Sequence, residues 1–393
     1  MSEPLHIAWL TENHPPSVGG MACSGDRIVQ GLRSLGVGVD VYHFSARLHH
    51  WEQRYQRQGR YFACPVGEDP SHALNRAWSG LEAEGRAYTH VLAFGGSLPL
   101  LAGPVFAAWL DCPLISLIRG NDFDTAVFNP YRSQVLALAM QRSARVCCVS
   151  RDKTHRIRAL FPQTRIKWIA NGIDRSEWQA RSFDLQRAAE WRRAFVEAGR
   201  QVLGLFGHLK AKKGLLFFLD SLLRSGKSEQ FHLLLVGDIT PEAAEWLEQR
   251  QQRLNFTLMP FLDRYDLIPY YSTCDYLVLP SFYDGMPNVM LEGMALGLPL
   301  IAAETGGMAD VLEDGVHGYL FTPGDMHTCR RAITRAAETD RAGRDNLAAA
   351  SQARSREFDS QAEAKAYLQV LQETCPSIHS AIVSPIKVPQ SGN

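Results

Sequence analysis

The sequence contains no run of about 18 uninterrupted apolar residues, the length that a helix needs to cross a bilayer. Its N-terminus carries an early acidic residue, Glu3, and too short an apolar run for a secretory signal peptide. None of the eight cysteines forms a CxxC pair, and several lie in or beside apolar stretches, where buried and reduced thiols are expected. The sequence therefore predicts a cytoplasmic protein.

The chain also lacks net charge, because 41 Lys and Arg residues balance 41 Asp and Glu residues. No nucleic-acid partner is expected, since binding a polyanion favours a basic excess. With 46% apolar and 21% charged residues, the composition is that of a globular protein. A chain of 393 residues is long for one core and suits two domains.

Two nucleotide-binding signatures are missing as well. No GxGxxG follows a strand-like run, and Gly36-Val37-Gly38 precedes one instead, which argues against a dehydrogenase. The segment 225–228 superficially resembles the end of a P-loop, but it closes a predicted helix and lacks the first glycine. No His, Cys and Asp cluster has metal-ligand spacing. We therefore expect no cofactor and no metal.

What the sequence does contain is a repeated alternation of apolar strands with helices. Near-continuous apolar runs, typical of parallel strands buried on both faces, occur in both halves, and the pattern restarts at Gln201. This alternation predicts an α/β fold with two Rossmann-like, doubly wound parallel sheets. The predicted parts are 1–172 (first domain), 173–200 (linker), 201–358 (second domain), 359–375 (C-terminal helix) and 376–393 (disordered tail).

The stretch from Tyr276 to Gly297 is typical of a short strand, a polar turn and an apolar helix that Pro287 opens at its first position. Asp284 lies in the turn, and Glu292 lies on the helix eight positions later. A carboxylate inside an apolar helix is costly to bury unless it has a partner. At the C-terminal edge of a parallel sheet, we expect that partner to be a ligand hydroxyl.

Glycine and lysine residues stand in two other loops that follow predicted strands. Gly19 and Gly20 precede the first helix and favour either an anion contact or a plain tight turn. Lys210, Lys212 and Lys213 lie beside a helix N-terminus, where cations and the helix dipole favour a diphosphate, although such loop lysines are often only solvated.

The central stretch resembles the nucleotide-sugar site of retaining GT-B glycosyltransferases of family 4. The residues of Pro280–Pro299 that carry this resemblance are Gly285, Pro287, Asn288, Glu292, Gly297 and Pro299. The segment Asn171–Asp174 is similar to the family's NG[IV]D signature, and residues 207–214 to its G-R-L-x-x-x-K-G pattern. The resemblance spans nearly all of residues 5–373 and implies two domains facing each other across a cleft.

The resemblance implies catalytic roles for Asp284, Lys213, Arg119 and Asp122. It also implies a larger set of residues that bind the donor, made up of Glu292, His208, Lys210, Gly19, Gly20, Gly285, Met286, Pro287, Asn288, Val289 and Phe261. Three of these positions depart from the family's usual residue, because Asp284 replaces Glu, His208 replaces Arg and Arg119 replaces His. An imidazole contact to the sugar can therefore not be carried over to Arg119.

Asp122-Phe123-Asp124 allows a second interpretation. A DxD triplet holds a divalent metal in the other large glycosyltransferase fold, GT-A. However, that fold lacks two Rossmann-like halves, and the triplet occurs easily by chance. We prefer the match of Arg119–Asp122 to the family's HGxD segment, which faces the donor sugar.

The basic and aromatic stretch Arg47–Tyr61 leaves several interpretations open. Such interleaving can bind single-stranded nucleic acid, a lipid headgroup or a carbohydrate acceptor, and a solvated helix face is the commoner explanation. If the acceptor is linked to a membrane, peripheral contact is expected here.

By this resemblance the protein is a metal-independent, retaining glycosyltransferase of the hexosyltransferase type. It is expected to use a nucleoside diphosphate sugar, UDP before GDP, and a glycan, lipid-linked or small-molecule acceptor. The alternatives are a nucleotide-sugar epimerase on the same scaffold, a phosphorylase with a pyridoxal-phosphate lysine, and a binding protein without catalysis, since fold does not fix function. The sequence does not identify the sugar, the acceptor or the oligomeric state.

Overall fold

The computed structural model describes residues 4–375, except for the side chains of Asn121 and Tyr265. The tail predicted at 376–393 lies outside the described residues. Fourteen strands form two sheets in this part of the chain. They are β1 (His6–Thr11), β2 (Gly38–Ser45), β3 (Glu52–Gln56), β4 (Gly59–Pro65), β5 (His90–Phe94), β6 (Leu114–Ile118), β7 (Ser143–Cys148), β8 (Ile166–Trp168), β9 (Gln201–Phe206), β10 (Phe231–Val236), β11 (Asn255–Met259), β12 (Tyr276–Leu279), β13 (Leu300–Ala303) and β14 (Gly318–Phe321).

Helices connect these strands. They are α1 (Gly20–Ser34), α2 (Pro70–Glu84), α3 (Ser97–Trp109), α4 (Asn121–Asp124), α5 (Pro130–Arg142), α6 (Arg151–Leu160), α7 (Ser182–Phe195), α8 (Leu215–Arg224), α9 (Pro241–Glu248), α10 (Ile268–Thr273), α11 (Asn288–Ala295), α12 (Gly307–Val311), α13 (Met326–Glu338), α14 (Arg341–Ser355) and α15 (Ser360–Thr374).

Each sheet is doubly wound, so the predicted fold class is confirmed. The first sheet has the order β3-β4-β2-β1-β5-β6-β7-β8, and the second has the order β11-β10-β9-β12-β13-β14. All strand pairs are parallel except β3 with β4. In both sheets the winding direction reverses beside the first strand, between β1 and β5 and between β9 and β12. Ligands of open α/β sheets bind in the crevice at such a reversal.

The last helix, α15, returns to the first domain and packs on α1. Tyr367 and Leu371 of α15 are buried in the same apolar cluster as Ile28 and Leu32 of α1. A charged contact accompanies this packing, because Arg27 Nε donates to Glu363 Oε2 at 2.8 Å. The chain therefore crosses from the second domain back onto the first through a helix that is both apolar and ion-paired at its contact face.

The stretch Arg47–Tyr61 is not a helix face. Its second half contains β3, the turn after it and the start of β4, which form an antiparallel hairpin at the edge of the first sheet. The tight turn between the two strands places Gln58 at φ 59° and Gly59 at φ 142°, conformations that end any helical path. The helical interpretation of this stretch was therefore wrong. Peripheral membrane contact through it stays a prediction.

One basic residue of this stretch, Arg60, is buried and therefore cannot contact a membrane or another partner. Arg60 donates to Asp40 at 2.6 Å and to Glu84 at 2.5 Å. Burial alone would raise the pKa of the Asp40 carboxyl, but hydrogen bonds from His6, Arg60 and Tyr88 hold this pKa well below its usual range. The ionised pair therefore fixes the hairpin to β2.

Pro287 is also displaced from its predicted place. The helix begins at Asn288, and Pro287 stands one residue before it, with an extended backbone at ψ 130°. Its ring fixes φ without requiring an N–H donor, which suits this position as well as the first helical one.

We predict that Arg60→Ala destabilises the protein by about 3 kcal/mol, since it leaves the Asp40 carboxylate buried without its guanidinium. Urea unfolding followed by circular dichroism measures this. Arg57→Ala is the matched control, because Arg57 is exposed in the same hairpin, and it should change stability by less than about 0.5 kcal/mol. Equal effects of the two variants would contradict the structural role of Arg60.

Candidate active site

Lys213 and Asp284 face each other at the reversal point of the second sheet. Lys213 follows β9 and Asp284 follows β12, and the Lys213 ammonium donates to the Asp284 carboxylate. The other carboxylate oxygen accepts the Gly285 amide at 2.9 Å. Burial would raise the pKa of Asp284, but Lys213 and Lys212 hold it below its usual value. The site therefore contains an ionised carboxylate beside two lysines.

Backbone contacts hold the two loops against each other. Gly214 has φ 69°, and a methyl group there would lie 2.0 Å from the carbonyl oxygen of Pro280. The Phe282 amide donates to the Lys212 carbonyl at 2.9 Å. No side chain fits at Gly214, and this explains why a glycine follows the lysines in the sequence.

Glu292 lies on α11, half-buried, and points to α10. The Tyr271 hydroxyl donates to Glu292 Oε2 at 2.8 Å. Burial raises the pKa of Glu292, while the Tyr271 hydrogen bond and the charges of Arg264 and Arg27 oppose that rise. The Tyr271 ring itself is fixed by stacking on Phe206, with 4.1 Å between the ring centroids. The carboxylate is thus oriented by a rigid donor.

His208 is held between a carboxylate and an aromatic ring. Its Nδ1 lies 2.7 Å from Asp238 Oδ2, and its ring stacks on Phe261 at 5.2 Å with an interplanar angle of 18°. The opposite ring nitrogen faces the first domain, since a methyl group at Gly19 would lie 3.4 Å from Nε2. Gly19, His208 and Phe261 therefore meet at one place in the cleft.

Asn288 joins the two domains at the start of α11. Its amide nitrogen donates to the carbonyl of Gly20 at 2.9 Å and to the Ser24 hydroxyl at 3.1 Å. Asn171 donates to the Met286 carbonyl at 2.6 Å and to Asn288 Oδ1 at 3.2 Å. The glycine loop of the first domain and the central stretch of the second are therefore in direct contact.

Arg119 and Asp122 lie on the first-domain side of this contact. A methyl group at Gly285 would lie 1.9 Å from the Arg119 carbonyl oxygen, so only glycine allows the two backbones to meet. The Arg119 guanidinium donates to Asn171 and to the Tyr367 hydroxyl, the latter at 3.1 Å. This side chain therefore connects the domain boundary to α15, and a phosphate contact by it stays a prediction.

The carboxylates of the DxD triplet bond to different groups. Asp122 accepts the amides of Arg119 and Gly120 at 2.8 and 2.6 Å, whereas Asp124 pairs with Lys153 at 2.6 Å. Burial raises the pKa of Asp122. This arrangement shapes the loop after β6 and does not favour the GT-A interpretation. Within residues 4–375, no three His, Cys, Asp or Glu side chains are grouped as metal ligands.

The remaining predicted residues differ in position. Lys210 is exposed, with its carbonyl accepting the Lys213 amide at 2.8 Å, and Val289 packs half-buried in the apolar cluster under α11. Sequence reasoning missed Tyr271 and Asp238. Asp238 follows β10 directly, so the rule that ligand-site residues follow strands would have found it. Tyr271 lies on a short helix and carried no such signal.

The ion pair between Lys213 and Asp284 predicts how the stability of the Lys213→Met variant depends on pH. In the native protein the pKa of Asp284 is depressed, so its carboxylate stabilises the fold above the unfolded pKa of about 3.9. Without Lys213, only Lys212 and the Gly285 amide oppose burial, so the folded-state pKa rises and the carboxylate stabilises the fold less once it ionises. The loss of stability should therefore grow as pH rises from about 4 to about 7.

Urea unfolding at several pH values measures this effect. The control is Lys213→Met combined with Asp284→Asn, in which the pH-dependent part of the loss should disappear because no carboxylate remains. A destabilisation by Lys213→Met that does not vary with pH would contradict the proposed coupling.

Among the described residues 4–375, no helix combines the length and apolarity required to span a bilayer.

Residues 18–177 match the family described as Glycosyltransferase Family 4, and residues 200–339 match Glycosyl transferases group 1. An uncharacterized glycosyltransferase of Methanocaldococcus jannaschii is 24% identical over 81% of this chain and 85% of its own. Alpha-maltose-1-phosphate synthase of Mycolicibacterium smegmatis is 24% identical over 80% of this chain and 84% of its own.

Solved structures share the two-domain architecture. Sucrose-phosphate synthase from Thermosynechococcus elongatus superposes with a TM-score of 0.79 at 18% identity, covering 94% of this chain and 98% of that one. HepE of Anabaena, solved in complex with UDP, superposes with a TM-score of 0.75 at 22% identity, covering 94% of this chain and 100% of that one. The two family matches together cover more than half of the sequence, and the sheets have the GT-B arrangement. The chain belongs to glycosyltransferase family 4 and has the GT-B fold.

Proposed function

We propose that this glycosyltransferase moves a sugar from a UDP-sugar to an acceptor hydroxyl with retention of anomeric configuration and without a metal. The observation that carries the proposal is the Lys213–Asp284 pair at the reversal point of the second sheet, with Glu292 on the helix of the same loop. HepE, of the same fold, has been crystallised with UDP-glucose, which supports UDP as the carrier.

Glu292 is proposed to hold the ribose. An ionised carboxylate offers about four acceptor positions, and Tyr271 uses one of them. The others can accept hydrogen bonds from the two ribose hydroxyls. The Phe261 ring, stacked on His208 and partly exposed, offers a flat apolar surface suited to the base.

Lys213 is proposed to stabilise the leaving diphosphate. Its ammonium has three donors, and Asp284 uses one, so the others can bind phosphate oxygens. Lys212 adds a second charge nearby, His208 Nε2 faces the same cleft, and the backbone at Gly285–Asn288 precedes α11. Charges fixed before the reaction stabilise the negative charge that grows as the glycosidic bond breaks.

Asp284 is proposed to position the donor sugar. Both of its oxygens already accept one hydrogen bond, and each retains a lone pair for a sugar hydroxyl. The salt bridge also keeps the carboxylate in a single orientation. The acceptor is then expected on the first-domain side, beside the loop after β6 that contacts Gly285. The acceptor hydroxyl would attack from the face on which the diphosphate leaves, without a covalent intermediate on the protein.

A product assay tests this proposal. Incubation with UDP-sugars and a panel of acceptors, followed by proton NMR, should show a new glycoside whose anomeric configuration equals that of the donor. Lys213→Ala should lower the transfer rate by about 10²–10³. An inverted glycoside would overturn the retaining mechanism, and a free epimerised nucleotide sugar would identify an epimerase instead.

Donor binding supplies an independent prediction. UDP should raise the melting temperature of the native protein, and Glu292→Ala should remove most of that shift, because lost hydrogen bonds to a charged group weaken binding about tenfold or more. Glu248→Ala, an exposed carboxylate on α9, is the matched control and should retain the full shift. An unchanged shift in Glu292→Ala would place the ribose elsewhere.

A further inference from the structure

The linker helix α7 and the short helix α10 enclose a cavity that none of the proposed donor contacts uses. The two helices pack against each other, and the cavity between them has a volume of about 300 Å³. Trp191, Phe195 and Tyr270 give it an aromatic wall. Arg187 and Glu190, both exposed, line its other side. The cavity therefore combines a large apolar surface with one charge of each sign.

This cavity lies away from the candidate active site. Arg192 of α7 donates to Asp275 Oδ2 at 2.9 Å, and Asp275 is the residue just before β12. The Trp191 ring packs edge-on against His232, at the start of β10. Asp284, by contrast, follows the end of β12. Helix α7 therefore covers the edge of the second sheet at which the strands begin, opposite the edge that carries the site.

Helix α7 exposes large apolar side chains beside this cavity. Phe183 and Phe195, near the two ends of the helix, are 54% and 55% exposed. Phe183 stacks on no other ring within residues 4–375. Aromatic side chains that are left in water next to an apolar cavity are typical of a surface that contacts another protein.

Four exposed residues of α7 form a row along one face of the helix. Phe183, Arg187, Glu190 and Ala194 follow one another at spacings of four, three and four positions, which places them on one face. The last three of them also line the cavity. Within residues 4–375, Arg187 forms no ion pair, even with Glu190 on the same face. The row thus has an apolar residue at each end and unpaired opposite charges in the middle.

This row is complementary to itself. When two α7 helices cross a two-fold axis in antiparallel orientation, Arg187 of each copy lies opposite Glu190 of the other, and Phe183 lies opposite Ala194. The largest side chain of the row then meets the smallest, at the wall of the cavity. A parallel pair would instead place like charges opposite each other, which is unfavourable. The charges therefore select the antiparallel arrangement.

We propose that the protein forms a two-fold symmetric dimer through α7, in which Phe183 of each copy enters the cavity of the other. Aromatic anchors that fill a cavity supply most of the affinity of such contacts. The exposed ion pairs add little affinity but fix the orientation. Because α7 lies opposite the candidate active site, both clefts of the dimer stay open. The inference does not depend on the proposed function.

Sedimentation equilibrium tests the inference. The native protein should dimerise with a dissociation constant of about 10 µM or lower. Arg187→Glu and Glu190→Arg, made separately, should each weaken association at least about tenfold, because each creates two like-charge contacts per dimer. A native protein that is still monomeric at about 100 µM would leave the cavity to another occupant and overturn the inference.

Mixing the two charge variants is the sharpest measurement. In a mixed dimer, one chain supplies both carboxylates and the other supplies both guanidinium groups, so the mixture should associate almost as tightly as the native protein. A defect confined to one helix would not recover in this way, since each chain keeps its own substitution. Variants that dimerise normally alone, or that stay monomeric when mixed, would overturn the inference.

A second pair of variants tests the aromatic anchor. Phe183→Ser should weaken association about tenfold or more, because two rings leave the cavities. Leu185→Ser is the matched control, since Leu185 is equally exposed but lies about 200° further round the same helix. This control should associate as the native protein does. Equal association of the two variants would contradict the proposed contact.

The UDP melting shift, measured on the same samples, separates this inference from the proposed function. The shift should be the same in the native protein and in the monomeric variants, because the contact surface lies away from the cleft. A native dimer without a UDP shift would contradict the proposed function and leave the dimer standing. A shift that disappears together with the dimer would make α7 part of the donor site and overturn the inference.

Discussion

The ion pair between Lys213 and Asp284 is the interaction on which the site depends. It joins the loop after β9 to the loop after β12, so it closes the crevice where the strand order of the second sheet reverses. Burial acts against the ionised Asp284, and Lys213, Lys212 and the Gly285 amide together keep it charged. A diphosphate that binds Lys213 would therefore weaken the stabilisation of the Asp284 carboxylate by this lysine, unless the hydroxyl groups of the sugar donate hydrogen bonds to the carboxylate at the same time. Under the proposed function, donor phosphate and donor sugar would in this way be recognised together.

The two domains meet through backbone rather than through long side chains. Gly285 lies against the Arg119 carbonyl, and the Gly20 carbonyl accepts from Asn288. Glycines at these positions let loops of both domains approach within hydrogen-bond distance, which a side chain would prevent. Around this contact, Asn171, Arg119 and Tyr367 form one hydrogen-bonded line from the domain boundary to α15. The first domain is thereby oriented against the loop after β12 by the same residues that define the boundary.

Features that depend on the local sequence pattern, namely secondary structure and the residues at strand ends, could be predicted from the sequence. Apolar runs predicted most strands of both sheets, and the rule that ligands bind after parallel strands led to Asp284 and Arg119, whereas the resemblance to the family's pattern led to Lys213. The local pattern does not predict side-chain contacts between residues that are far apart in the sequence. Nothing in it indicated that Tyr271 would orient Glu292, or that Arg60 would be buried against Asp40. The hairpin was missed for a related reason, since β3 is an edge strand exposed on both faces and shows no apolar alternation.

The three departures from the usual residues of the family differ in what they change. Arg119 bonds to Asn171 and Tyr367, so its charge is used at the domain junction. His208 is oriented by Asp238 and Phe261 and still presents Nε2 to the cleft. Asp284, shorter than a glutamate by one methylene, reaches Lys213 directly. Each of the three side chains has hydrogen-bond partners that hold it in place. The departures are therefore compatible with catalysis, and the pairing of Lys213 explains how the shorter carboxylate is held in place.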